Sequence, residues 1–379
     1  MKQLLDLETP ALLLDRDVMR ANLTRMADRI HALGCDLRPH VKTHKSLDVL
    51  RDVKALSRLI GITVSTLHEA DYFFAGGEKD ILYAVGLTPG KVSHAATLIR
   101  AGCDLTVISD SPDAIEAIQA AARAEDVRLP VLIELDVDGH RSGVEPDGPE
   151  LIEMARRIAA SANLDLKGVM THAGGSYDCR SVDQIRDHAA RERGLTVGAA
   201  ERLRDAGHDC PVVSIGSTPT AMFAEDLSGV TEVRPGVYTF FDLFQAGLGV
   251  ARLSDIAVSV LGTVIGHKKE KGWVIIDAGW MAMSRDRGTA NQPQDQGYGV
   301  VCDLDGRPIE DVYLGIANQE HGIVIARPGE PDLDVGRFPI GSRLRILPNH
   351  ACATSAQHNR YEVLEDSRVV AEWPRTHFW

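Results

Sequence analysis

The sequence predicts an α/β protein: a (β/α)8 barrel over residues 15–245, and a mostly β domain assembled from residues 1–14 and 246–379. Three observations carry that reading. Eight strand-like runs lie between residues 35 and 240, each separated from the next by a segment long enough for a crossover helix. Those runs are nearly continuous in apolar character, as strands covered on both faces must be. After about residue 250 the texture turns strand-rich instead. An open doubly wound sheet is the alternative arrangement of the same units.

The elements follow in order. "PALLLD" (10–15) reads as a strand that precedes the barrel and pairs with the second domain. Met19, Leu23, Met26, Ile30 and Leu33 recur at spacings of 4, 3, 4 and 3 and are stopped by Gly34, which predicts one amphipathic helix. The eight barrel runs are "CDLRPHVK", "LIGITVS", "DILYAVG", "LTVISD", "VLIELDV", "LKGVMTHAG", "VVSIGST" and "EVRPGVYTF". In the second domain the strands are "IAVSVLGTVIG", "WVIIDAG", "YGVVCDLDGRPI", "HGIVIA", "SRLRILP" and "YEVL", with a hairpin turn at Asp305-Gly306.

Composition narrows the function classes. The chain has 379 residues, a net charge of −13 and no run of Lys or Arg longer than two, which argues against a nucleic-acid partner. An anionic ligand must then be held by a local pocket. Asp6 and Glu8 interrupt the apolar segment a signal peptide would need, and no later window is a membrane span, so a cytoplasmic protein is expected. The six cysteines have no CxxC spacing, and most of them read as buried small hydrophobes.

Reactive groups of such a barrel sit at the carboxyl ends of its strands, and the unusual residues fall there. "RPHVKTHK" places Arg38, His40 and Lys42 on one face if extended, with Lys45 in the first turn of the next helix. Lys42 is therefore the better placed amine for attack on an aldehyde. His140 and Arg141 follow strand five, His172 and Tyr177 strand six, "GSTPT" (Gly216, Ser217, Thr218) strand seven, and "RPGVY" (Arg234, Gly236, Tyr238) strand eight. A Gly-Ser-Thr turn feeding a helix suits one phosphate group, or is simply a capped turn. Phosphate anchor plus lysine is what a pyridoxal phosphate site requires. In "LPNHACAT", His350 and Cys352 at i, i+2 point the same way if extended and can grip one metal ion, leaving coordination positions open.

Taken in order, "TPALLLD", "RPHVKTHK", "LDVDGHRSGV", "THAGGSY", "GSTPT", "EVRPGVYTFFD", "DAGWMAMSRDRG", "NQEHG" and "LPNHACAT" resemble the fold-type III pyridoxal-phosphate enzymes acting on D-3-hydroxy amino acids, whose barrel is alanine racemase-like. The resemblance implies Lys42 as Schiff-base lysine, Arg141 beside the cofactor's phenolic oxygen, and Gly216, Ser217 and Thr218 as phosphate loop closed by Gly236 and Tyr238. Arg234 would face the pyridine nitrogen, with His172 and Tyr177 near the cofactor. His350 and Cys352 match a zinc pair; the thiolate favours zinc over Mn2+, Mg2+ or Co2+. A zinc-dependent dehydratase is implied, most closely one acting on 3-hydroxyaspartate and also on D-serine, working as a homodimer on a small-molecule substrate. An aldolase releasing glycine, a cofactor carrier without turnover and a racemase are the alternatives. Arg285, Arg287 and His321 are candidates for a second substrate carboxylate.

Overall fold

The computed structural model describes residues 3–379. The chain falls into two compact units: one of residues 24–47, 54–236 and 378–379, the other of the described residues up to 23 together with 48–53 and 237–377. Strand β1 (Ala11–Asp15) and helix α1 (Arg16–Ala32) open the chain. Met19, Leu23, Met26 and Ile30 of the expected stripe are fully buried, each contributing about 1.5–3 kcal/mol of apolar burial, while Leu33 lies past the end of α1 and is half-buried. Gly34 takes φ +72° just past the helix end, where a left-handed residue terminates it.

The first unit is the barrel. Its strands are β2 (Asp36–Leu37), β3 (Ile62–Val64), β4 (Asp80–Gly86), β5 (Asp104–Ser109), β6 (Leu129–Leu135), β7 (Leu164–Thr171), β8 (Val212–Ile215) and β9 (Glu232–Val233). All are parallel, in the order β2-β9-β8-β7-β6-β5-β4-β3. Parallel bridges Leu37–Leu59 and His40–Thr63 join the two ends. With the Val41 N–H donating to the Thr63 carbonyl and the Thr63 N–H to the Pro39 carbonyl, both at 2.9 Å, the sheet closes. An open sheet would leave those groups at an unpaired edge.

Helices fill the crossovers: α2 (Leu47–Leu56), α3 (Leu67–Ala75), α4 (Val92–Arg100), α5 (Pro112–Ala124), α6 (Pro149–Ala159), α7 (Val182–Asp205) and α8 (Thr218–Phe223). Thr66, Ser111, Ser181 and Ser217 each cap a helix by accepting the backbone N–H three residues on. In β7, Lys167 is an extra residue opposite β6, and Gly168 beyond it has φ +141°. A Cβ there would lie 2.0 Å from the Val212 carbonyl oxygen. Gly168→Ala is therefore expected to cost several kcal/mol, about 3 or more, read as a lowered urea midpoint with an unchanged slope.

The second unit is a nine-stranded sheet containing β1, β10 (Val258–Lys268), β11 (Trp273–Ile276), β12 (Gly299–Cys302), β13 (Val312–Ala317), β14 (Gly322–Ala326), β15 (Arg343–Pro348), β16 (Arg360–Glu365) and β17 (Arg368–Pro374). Its main path is β13-β14-β11-β10-β1-β16-β17, with β15 pairing β10 and β12. β1 lies antiparallel to β10 and parallel to β16, so the strand expected at 10–15 joins this sheet. Short helices α9 (Leu243–Gly247), α10 (Trp280–Met283) and α11 (Ala351–Ser355) interrupt the strands. Gly306, at φ +82°, turns the chain after β12 as the Asp-Gly pair predicted.

Two of the expected barrel strands are shorter than their apolar runs. After His40 the His44 and Lys45 N–H groups return to the Val41 carbonyl, so the chain turns instead of continuing extended to Lys42. After Val233 the Arg234-Pro235 step ends the second, because proline has no N–H for the ladder.

Candidate active site

The turn 41–45 separates the two lysines chemically. Lys42 is exposed between buried neighbours and has no carboxylate within ion-pair reach among the described residues. Lys45, at φ +47°, instead precedes α2 and pairs at 3.0 Å with Glu69, whose side chain is fully buried. Only Lys42 presents an amine that is not already committed. Gly236 packs against this turn: a Cβ there would stand 3.1 Å from the His40 carbonyl oxygen.

Positive charge converges at the carboxyl ends of the strands. Burial, then Lys42, Arg141 and Arg234, push the His172 ring down to about 3, and burial with Lys42 and Arg234 holds His40 well below its ordinary value. Both imidazoles are neutral there. His172 lies 6.3 Å from Tyr177, ring to ring. Arg141 is exposed, 3.5 Å from Glu134, whose carboxyl burial raises. Arg234 is buried and brought down to about 10 by desolvation, against which Glu232, Glu192 and Glu134 act.

The "GSTPT" turn is more self-contained than its sequence suggested. Gly216, at φ +115°, donates its N–H to Glu192 at 2.9 Å, and the Ser217 N–H donates to the Thr220 hydroxyl at 3.0 Å. The Ser217 hydroxyl accepts from the Thr220 N–H and lies 2.9 Å from the Ser176 hydroxyl. Thr218 begins α8 and is buried. Glu192 also receives the Ala173 N–H at 3.4 Å, tying the loop after β7 to the loop after β8. Burial raises its carboxyl, against which the Thr220 hydroxyl and the Gly216 and Ala173 N–H groups act.

Tyr238 belongs to the β-rich unit, where it is fully buried, and that burial pushes its hydroxyl well above the ordinary tyrosine value. His350 and Cys352 are in the same unit, but not in an extended segment as expected: β15 ends at Pro348, His350 is the cap of α11, and Cys352 lies in its first turn. The reason is a set of side chains that fold the backbone there. Asp242 accepts the Ala351 N–H at 2.9 Å, Asn349 holds Gly297 and Thr289 at 2.6 Å each, and the Thr354 hydroxyl donates to the Met283 carbonyl. The two side chains still meet. Burial opposes protonation of His350, yet the Cys352 thiolate and Asp286 outweigh it and lift the ring to about 11.

The His350 Nδ1 is 2.7 Å from Asp286 Oδ2, which holds that carboxyl below its usual range, and the ring also hydrogen-bonds the Cys352 side chain. Cys352 is half-buried while the other five cysteines are buried. Among the described residues no group of three or more His, Cys, Asp or Glu could hold a metal, so a bound ion would have two protein ligands and open positions. One imidazole and one thiolate fit zinc. On the same stretch, Arg287 pairs with Asp295 at 2.7 Å and lies over Tyr298, His321 is exposed, and Arg285 is exposed over Trp280 at 5.3 Å with no carboxylate in ion-pair reach among the described residues.

A pyridoxal phosphate molecule fits the barrel's donor set: three cations crowd two neutral imidazoles, and an anionic cofactor supplies the compensating charge. Sequence reasoning passed over Glu134, Glu192, Ser214, Glu232 and Asp286. A charge inside an apolar strand run, as in "VLIELDV" and "EVRPG", signals the first and fourth; Glu192 lies in an ordinary amphipathic helix and carries no such signal.

Comparison with known proteins places both parts of the chain among known families. The alanine racemase N-terminal domain matches residues 14–243, and a putative serine dehydratase domain matches residues 257–364. The chain belongs to the alanine racemase N-terminal domain family. It is similar to the D-threo-3-hydroxyaspartate dehydratase of Delftia sp. (strain HT23), at 53% identity over 377 residues and 99% of each chain. It is 31% identical to the D-serine dehydratase of Dictyostelium discoideum over 394 residues, 99% of this chain and 98% of the other. A solved structure of a D-threo-3-hydroxyaspartate dehydratase, a cysteine-to-alanine variant in the metal-free form, superposes with a TM-score of 0.97 at 52% identity over 100% of both chains. No helix among the described residues is long and apolar enough to cross a membrane.

Proposed function

We propose that this protein is a dehydratase that converts D-threo-3-hydroxyaspartate to oxaloacetate and ammonia, with D-serine as a second substrate. The observation that carries it is an exposed Lys42 amine, without an ion pair among the described residues, at the rim of a barrel where Lys42, Arg141 and Arg234 converge on His172. Lys42, Arg141, His172, Tyr177, Gly216, Ser217, Thr218, Arg234, Gly236 and Tyr238 are the residues proposed to hold pyridoxal phosphate. That cofactor supplies an aldehyde for the amine and a conjugated ring to accept the electron pair of the broken Cα–H bond. Lys42 Nζ takes the Cα proton as general base. Arg234, a cation that cannot accept a proton, disfavours one on the ring nitrogen it faces. His350 and Cys352 are proposed to hold zinc, a Lewis acid for the departing β-hydroxyl. As the family resemblance implies, the enzyme works as a cytoplasmic homodimer.

The test is product analysis: ammonia and oxaloacetate in equal amounts from D-threo-3-hydroxyaspartate, and pyruvate from D-serine. Glycine with an aldehyde as the only products would instead establish an aldolase. Arg285 is the proposed reader of the second carboxylate, because Arg287 is already paired. Arg285→Gln is expected to raise KM for the dicarboxylate about ten-fold or more, the size of one lost charge-assisted hydrogen bond, with KM for D-serine unchanged. Equal effects on both substrates would remove Arg285 from that role.

A further inference from the structure

A run of charges crosses the barrel interior from end to end. Asp80 opens β4, at the amino-terminal end of the strands, and is bonded to Arg38. Arg38 Nε donates to Glu232 Oε2 at 2.7 Å. The other oxygen of Glu232 accepts the Ser214 hydroxyl, and the Ser214 oxygen in turn accepts Arg234 Nη1. Arg234 Nη2 donates to the Thr171 carbonyl. Arg38, Glu232, Ser214 and Arg234 are all buried, Ser214 completely.

The proton count leaves this chain one arrangement. Ser214 has a single proton, and because Arg234 donates to its oxygen, that proton goes to Glu232. Glu232 is thus held between Arg38 on one oxygen and the serine on the other. Two of the three nitrogens of Arg234 are pinned, which fixes the plane of its guanidinium. Glu134 and Glu192 also act on Arg234, and His40 and His172 feel its charge, but among the described residues its hydrogen bonds go to Ser214, and through it to Glu232, and to the Thr171 carbonyl.

We propose that Glu232 and Ser214 are positioning residues for Arg234, and that through it they set the electrostatics at the ring nitrogen of the bound cofactor. This rests on the reading above that Arg234 faces that nitrogen. A buried arginine deprived of its carboxylate relay is free to reorient, and a change in the direction of its charge alters how strongly it repels a proton from the ring. Backbone packing alone would not connect Ser214 to a spectroscopic property of the cofactor.

The experiment uses the full protein loaded with pyridoxal phosphate. The visible absorbance of the bound cofactor is titrated with pH in the parent, Ser214→Ala, Ser214→Thr and Glu232→Gln. Ser214→Ala removes one hydroxyl without enlarging the side chain, so it tests the relay even where Glu232→Gln does not fold. The relay requires that Ser214→Ala shift the titration midpoint by about 1 pH unit, a typical effect of one hydrogen-bonded charge, and that Ser214→Thr return it toward the parent. A parent that is coloured and active, beside a Ser214→Ala curve that overlays it, overturns the relay alone. A parent that takes up no pyridoxal phosphate overturns the function proposed above, and the relay with it.

Discussion

Lys42→Ala is expected to lower kcat by about 10^4-fold or more and to leave the protein without visible absorbance after incubation with pyridoxal phosphate. The size follows from removing a nucleophile and a general base in one substitution; the base alone is worth about 10^2 to 10^4. Stability should hardly change, because an exposed side chain without an ion pair leaves nothing buried behind, and such substitutions usually stay within about 0.5 kcal/mol. Lys45→Ala supplies the contrast. It strips the partner from a carboxylate that is fully buried, so it should cost about 3 kcal/mol of stability while the cofactor colour survives. A Lys42→Ala protein that keeps its colour and turnover would refute the assignment, and melting curves of both variants would show that folding is not the cause.

Removing the metal, or either of its two side chains, should be nearly as severe for the β-elimination. Hydroxide is a poor leaving group, and without a Lewis acid its departure must await protonation, so a loss of about 10^3-fold is expected on chelation and in Cys352→Ala. Elemental analysis should find one zinc ion per chain in the parent and none in that variant. Cofactor absorbance should persist in both, since Lys42 is untouched. Asp286→Ala is expected to fall between, weakening metal retention about 10- to 100-fold, because it frees the Nδ1 side of His350 without removing a ligand. A metal-stripped protein with full dehydratase activity contradicts the zinc role outright.

Much of the barrel is legible in the sequence. Apolar runs that recur with helix-length intervals can bury both faces only in a parallel α/β arrangement, and the stripe from Met19 to Ile30 names its own buried face. Strand ends were less legible. "RPHVK" and "EVRPGVY" look extended to a reader of residue types, yet Val41 turns the first and Pro235 stops the second, since hydrogen-bond partners lie in neighbouring strands and local propensity does not register them. The His-x-Cys pair shows the same boundary from the other side. The pair was legible as a candidate from its spacing, whereas the helix that brings the two side chains together depends on Asp242, more than 100 residues away in sequence.

By itself, then, the sequence determined the order of strands and helices, the residue types that carry chemistry, and the turns at which those residues stand, because these depend on side-chain periodicity and on short-range backbone preference. Only the tertiary structure decided which lysine lacks an ion pair, which buried carboxylates answer which arginines, and which ring nitrogen of His350 faces Asp286. The physical reason is range. Ion pairing and desolvation act between groups that are close in space and remote in the chain, so their balance exists only once the fold has brought Arg38 to Glu232 and Asp286 to His350.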